Sequence, residues 1–248
     1  MMTYKHKNQT GFTLIELLIA LVLTIFMAGG AIVLHLSGRQ AAIDTEALSR
    51  MQENIRFASD YVVRDIRNAG YRDETFLRWG HEQQIRAAFA TILNGGAALR
   101  VRYAGRGHCT QAFQEYRLVE NEYSVSNGAL ICRGRSLDQD APGTAPIDDD
   151  SLWDGNGIQL VQGVTSIQFD ALSVAGGTCS FDLTAWEADP TVNLCTGVTV
   201  TLLMEGMQDI DTPATTNLRR AQLTAAFRNV ILDIVNQNAF NAPAGAGT

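Results

Sequence analysis

The chain has 248 residues, of which 46% are hydrophobic and 18% charged, with five prolines and a net charge of −7. It is too apolar for a disordered chain, and its acidic balance argues against a general nucleic-acid binder, whose surface is basic. No internal repeat or Pro-rich tract occurs, which excludes solenoid and fibrous architectures.

The apolar residues are concentrated at the front. Phe12 to Leu36 run FTLIELLIALVLTIFMAGGAIVLHL, with one formal charge, Glu16. As a helix this segment spans roughly 37 Å against a hydrocarbon thickness of about 30 Å, enough to cross a bilayer. Lys5, His6 and Lys7 precede it and no acidic residue does. The positive-inside rule therefore keeps the N-terminus cytoplasmic and exports the chain beyond Leu36. A secretory signal would have a shorter apolar core ending in a small-residue cleavage site; here the small residue, Gly11, comes first. Without Glu16 the segment reads as an uncleaved signal anchor.

Glu16 changes that reading. A carboxylate inside an apolar helix costs on the order of 2.5–3.5 kcal/mol on insertion scales, so it needs a partner or a function. The segment carries no cation of its own. A cut between Gly11 and Phe12 would create an α-amino group close to Glu16, largely protonated at neutral pH. Between staggered neighbouring helices, each Glu16 would meet the next subunit's amine. The charge then becomes a registry device for assembly.

Gly11-Phe12-Thr13-Leu14-Ile15-Glu16-Leu17-Leu18-Ile19-Ala20 resembles the class III signal of type IV pilins and type II secretion pseudopilins. The resemblance implies a prepilin peptidase that cuts after Gly11 and N-methylates Phe12, with Glu16 neutralising a neighbour's amine during polymerisation. The chain then divides into a leader, residues 1–11, and a transmembrane stalk helix, residues 12–36. Beyond these lie an amphipathic continuation, residues 37–70, and a head, residues 71–248.

Beyond the apolar run the helix continues. From Ser37 to Asn68 there is no proline, and Gly38 is the one glycine. Leu48, Met51, Ile55, Ala58, Val62, Ile66 and Ala69 form an apolar stripe at helical spacing, and Gly70 is a natural terminator. Glu46–Arg50, Arg56–Asp60 and Asp60–Arg64 are i,i+4 charge pairs, each contributing only a few tenths of a kcal/mol. Gly29-Gly30 in mid-span marks either a place where the helix loosens or close packing between helices.

Past Gly70 the period changes to two. Leu99–Tyr103, Ile167–Ala171 and Val198–Leu202 alternate as strands. Tyr116–Val119 and Ala129–Cys132 read as two strands joined across a loop ending in Asn127-Gly128. Leu223, Ala225, Phe227 and Ile231 suggest a last strand, with an amphipathic helix as the alternative. Leu137–Gly157 reads as a long surface loop and residues 241–248 as a small, flexible tail. The fold class expected is α+β, with the long N-terminal helix packed on a mainly antiparallel β-sheet head.

Cys109, Cys132, Cys179 and Cys195 all fall in the exported part, where an even count favours disulfides. Three pairings are open; sequence-local pairing gives Cys109–Cys132 and Cys179–Cys195. No CxxC spacing points to zinc. Asp148, Asp149, Asp150 and Asp154, near Asn156, form an acidic loop, but Leu152 and Trp153 interrupt a calcium-loop order. Arg64, Arg67 and Arg72, with Arg219 and Arg220, are candidates for phosphate or DNA, with ion pairing the default. His81 has no Ser/His/Asp grouping around it in sequence, so no catalytic residue, metal or cofactor is expected and the chain reads as a non-enzyme.

Further segments resemble one family of minor type IV pilins, PilW. Arg64-Asp65-Ile66-Arg67-Asn68-Ala69-Gly70-Tyr71 is similar to its RD-hydrophobic-R-x-AGY helix ending. Leu160–Val164, with Phe169 after it, is similar to its LVxGV strand. Arg219-Arg220 with Arg228-Asn229 resembles its closing basic, strand and RN segment. Arg72-Asp73-Glu74 stands where PilW members often carry Gly and Cys, a departure bearing on the disulfides. The resemblance implies a minor pilin that primes pilus assembly in a tip complex. Its implied partners are the prepilin peptidase, the other minor pilins, the major pilin and the inner-membrane assembly platform, with no nucleic acid. It implies an inner-membrane stage with a periplasmic head, then the pilus of a Gram-negative cell. The alternatives are a J-type pseudopilin of a type II secretion pseudopilus, or a tip adhesin or DNA-receptor subunit.

Overall fold

The computed structural model describes residues 13–72, 82–136, 153–205 and 218–241. Gly11 and Phe12, His81, Asp148–Asp150 and the tail beyond Asn241 lie outside the described residues. The chain forms two compact units, one up to Arg50 and one from Met51 onward.

In the first unit, helix α1 begins at Leu14 and is continuous through Gly29-Gly30. Its apolar side chains from Leu14 to Leu36 are exposed all round, and it is long and apolar enough to cross a membrane. The Glu46–Arg50 pair forms at 2.6 Å.

The second unit opens with the end of α1, which runs to Asn68. Here the helix is one-sided, as its stripe predicts. Ala58, Val62, Ile66 and Ala69 are buried, and Met51 and Ile55 pack against them. Leu48, the first residue of the predicted stripe, is instead exposed. Gly70 takes φ +77°, a left-handed stop that favours glycine. The described residues also hold two short helices, α2 (Glu82–Ala87) and α3 (Leu183–Ala188), a 3-10 turn (Asn94–Gly96) and a C-terminal helix, α4 (Arg228–Asn241).

As expected of the head, the strands are antiparallel, and among the described residues they form two sheets. The first has the order β1 (Ala90–Leu93), β2 (Ala98–His108), β3 (Gln111–Ser126), β4 (Ala129–Ser136) and β5 (Ile158–Gln162). The second has β6 (Val164–Leu172), β7 (Gly197–Glu205) and β8 (Leu218–Ala226). The loop expected after Val119 is strand instead. β3 runs on to Ser126 and turns to β4 through Asn127 and Gly128 alone, both with positive φ (52° and 71°), the two-residue hairpin turn whose twist suits antiparallel strands. The expected last strand divides. Leu223 and Ala225 lie in β8, whereas Phe227 is buried at the junction and Ile231 lies in α4.

One core joins the α1 stripe to the inner faces of both sheets and to Val230 of α4. At its centre Phe89, Phe181 and Phe227 pack edge to face, with centroids 5.1–5.9 Å apart. Two disulfides tie into it, Cys109–Cys132 between the β2–β3 turn and β4, and Cys179–Cys195 between the segment before α3 and the segment just before β7. Each closes a short sequence loop, for which chain entropy gives roughly 3 kcal/mol.

Candidate functional site

At the start of α1, Thr13 is the residue before the first helical turn and Glu16 is the third residue within it. The Thr13 backbone N–H donates to Glu16 Oε2 at 3.1 Å, and the Thr13 hydroxyl donates to the same oxygen at 3.0 Å. The Glu16 N–H in turn faces Thr13 Oγ1 at 3.4 Å. This is a reciprocal capping box, and its signature, Thr-x-x-Glu, stands in the sequence at Thr13-Leu14-Ile15-Glu16. In a single chain, then, the carboxylate is not bare: it satisfies two local donors. That lowers the penalty of holding Glu16 among apolar residues and leaves its second oxygen for a cation.

At the other end of α1 sits a second carboxylate, Asp65, with only 3% of its surface exposed. Helical spacing puts it on the inward face between Val62 and Ile66, and strand alternation brings Tyr103 of β2 and Asn121 and Tyr123 of β3 toward it. Tyr123 Oη and Asn121 Nδ2 each donate to Asp65 Oδ2 at 2.5 Å, and Tyr103 Oη donates to Oδ1 at 3.2 Å. Asn121 Oδ1 accepts the backbone N–H of Cys109 at 3.0 Å, which ties the cluster to the first disulfide. Burial pushes the Asp65 carboxyl above the usual carboxylate range, against the lowering effect of its donors and of Arg64. Burial, reinforced by Asp65, pushes both tyrosines above their ordinary value. His108, near the same cleft, is pushed down by burial, with Asp154 opposing. Such a cluster holds a helix to a sheet. Both acceptor oxygens of Asp65 are occupied.

The outer face of the first sheet carries the complementary alternation. Arg102 of β2 donates to Glu120 of β3 at 2.9 Å, and Arg135 of β4, 1% exposed, donates to the same glutamate at 2.6 Å. One step along, Glu122 sits between Arg100 at 2.6 Å and Arg133 at 3.7 Å. Register explains it: Arg102 and Arg135 both pair with Glu120, and Arg100 and Arg133 both pair with Glu122. Trp153, 6% exposed, stacks on the guanidinium groups of Arg100, Arg133 and Arg135 at 4.5–5.1 Å. The segment expected to be a surface loop thus returns a buried indole to the sheet, which covers these ion pairs and strengthens them.

The end of α1 joins these parts. Asn229 Nδ2 donates to the carbonyls of Arg67 and Asn68, and Tyr71 N–H donates to Asn68. Gly70 N–H donates to Arg102 and Ala104 N–H to Tyr71, so the chain leaves the helix as a short extension beside β2. The AGY and RN segments singled out in the sequence therefore meet: Asn229 caps the helix that Gly70 ends.

The candidate arginines are dispersed. Arg72 pairs with Asp233 at 2.5 Å, Arg64 lies over the Tyr61 ring at 4.9 Å, and Arg67 is exposed. Arg219 and Arg220 stand on β8. Asp154 N–H donates to Gly134, and no metal-holding group of carboxylates, His and Cys occurs among the described residues. Sequence reading missed the Asp65 cluster; the signal was an acid on the apolar stripe together with two tyrosines at inward strand positions.

Residues 6–32 match the family described as the prokaryotic N-terminal methylation motif. No curated protein matches the chain. Among solved structures, a type IV-like pilin from Thermus thermophilus is similar over 73% of this chain and 98% of its own, at 12% identity and a TM-score of 0.44. A likeness at that distance carries no weight for function. The leading segment thus carries the prokaryotic N-terminal methylation motif, and the described residues form a long helix and antiparallel sheets.

Proposed function

We propose that this protein is a minor type IV pilin of the PilW kind, a low-abundance subunit that primes pilus assembly in a tip complex with other minor pilins. The observation that carries this reading is the methylation motif over residues 6–32, which takes in the first turns of a helix whose one charge in the apolar run is Glu16. On this reading a prepilin peptidase cuts between Gly11 and Phe12 and methylates the new amine. The stalk stays in the inner membrane with the head in the periplasm until the assembly platform draws it into a fibre with the major pilin. Glu16 then keeps its capping box on one oxygen, offers the other to a neighbour's amine and sets the register. The work is non-covalent: the stalk gives retention and packing, the head gives partner surfaces, and the disulfides of Cys109, Cys132, Cys179 and Cys195 keep the head rigid outside the cytoplasm.

The test is mass spectrometry of the protein from cells with an intact prepilin peptidase. A chain starting at N-methylated Phe12 and present in sheared filaments is expected. A chain that keeps Met1 removes the pilin reading. A processed chain found only with a secretion pseudopilus replaces the pilus assignment with the J-type one.

A further inference from the structure

Two depressions flank the last turns of α1, and Arg64, Asn68 and Tyr71 border both. The first, of about 660 Å³, lies between the helix and the tip of the β2–β3 hairpin; the second, of about 690 Å³, lies against β8 and α4. Among their lining residues are four arginines, Arg64, Arg67, Arg106 and Arg228, and all four are exposed. Among the described lining residues two carboxylates stand against them, of which Asp65 is buried and consumed by its own donors and Asp60 faces outward. On a chain of net charge −7 this is a local positive island.

The island is also aromatic and apolar. Tyr71 and Tyr116 are each 37% exposed and Leu232 47%, and Phe57, 52% exposed, adjoins Tyr61 on the helix at 6.1 Å. Two of the arginines are already arranged: Arg64 lies over Tyr61 and Arg106 over Tyr116, each at 4.9 Å. A guanidinium resting on a ring has less rotamer freedom to lose on binding, and Tyr with Arg is the composition of interface hot spots. A duplex or single strand would call for a longer basic track than four arginines on an acidic chain. Charge complementarity selects the partner.

We propose that the face of α1 around Arg64, Arg67 and Tyr71, with Arg106 and Arg228 on its flanks, docks an acidic patch on the head of a different pilin-type subunit. This rests on the assembly reading above and adds to it which face is used and what chemistry the partner presents. Carboxylates would meet the arginines at the rim, and apolar side chains would fill the depressions beside Tyr71 and Leu232.

The experiment places a photo-crosslinking benzoyl-phenylalanine at Asn68 of the full-length chain in living cells, with a control at Val174, which is 93% exposed elsewhere on the head. Adducts are identified by mass spectrometry, and the N-terminus is read on the same material. Support is an Asn68-specific adduct to a processed pilin-type chain at a segment rich in Asp and Glu. Its yield should fall about tenfold in the Arg67→Glu/Arg228→Glu double variant and return in Arg67→Lys/Arg228→Lys, because like charges across an interface are strongly repulsive. Retention of both disulfides and normal abundance show that the variant folds; if it does not, the identity of the wild-type adduct decides. An adduct to nucleic acid, to lipid or to a non-acidic segment overturns the proposal. So does a processed, filament-borne chain with no Asn68 adduct, which leaves the assembly reading intact. An unprocessed chain removes both.

Discussion

The two ends of α1 solve one problem in different ways. Each holds a carboxylate among apolar residues, Glu16 near the start and Asp65 near the end. Glu16 is exposed on a helix that is apolar all round, and its hydrogen bonds come from three residues back in its own chain. Asp65 is buried, and its donors come from β2 and β3, far away in sequence. The first arrangement is local and leaves an oxygen for a neighbour; the second is closed. A carboxylate with spare acceptor capacity can register one subunit against another, whereas a saturated one can only fix the fold to which it belongs.

The sharpest way to break this comparison is at Glu16. Glu16→Ala removes both the cap and the charge, whereas Glu16→Gln keeps an acceptor for Thr13 and loses only the charge. Both are expected to be processed and both to lower piliation, scored by counting filaments per cell. Wild-type piliation in the Gln variant would reduce Glu16 to a helix cap.

At the other end, Asp65→Leu should destabilise the folded head by about 3–5 kcal/mol, since it leaves two buried phenols without their acceptor and takes one of two acceptors from the Asn121 amide. Denaturant unfolding of the full chain in detergent measures it. Asp65→Asn should cost less, because one acceptor oxygen remains. Separate removal of each disulfide, as Cys109→Ser/Cys132→Ser and Cys179→Ser/Cys195→Ser, should cost about 3 kcal/mol each, read by the same unfolding curves. Unaltered unfolding in either pair would mean that the bridge constrains little of the unfolded chain.

The pH dependence sharpens the contrast further. Burial raises the Asp65 carboxyl in the folded state above its unfolded value. Its protonation therefore favours the folded form: the contribution is fully present below the ordinary carboxylate value and is lost as pH rises through the raised one. The stability difference between wild type and Asp65→Asn should accordingly vary with pH across that window, wild type gaining as pH falls. A difference that stays flat would show that the donors hold the group at its ordinary value. The smallest effect is expected at the helix exit. Asn229→Ala removes the donor to the Arg67 and Asn68 carbonyls and should cost about 1 kcal/mol. Gly70→Ala, at φ +77° with Val230 Cγ2 3.1 Å from the new methyl, should cost a similar amount or somewhat more.

Much of this molecule could be read locally. The apolar run, the lone Glu16, the stripe from Met51 to Ala69 and the stop at Gly70 are all one-helix patterns, and short-range sterics and hydrophobic spacing decide them. The strands Leu99–Tyr103, Ile167–Ala171 and Val198–Leu202 were legible for the same reason, since period two needs only its own residues. Ile231 was harder, because the change from strand to helix at Phe227 leaves an apolar series that suits either period.

What the sequence determined by itself is the leading segment: a charge placed in an oily run shortly after a lone glycine, with a Thr-x-x-Glu cap, all within a few consecutive residues. Only the tertiary structure decided that Asp65 would be sealed beneath Tyr103, Asn121 and Tyr123, and that Trp153 would lie over three arginines from two strands. It also decided that Asn229 would close a helix ending more than a hundred residues earlier in the chain. These depend on strand register and on which face of a sheet is covered. Both are settled by non-local pairing, and no window of neighbouring residues contains them.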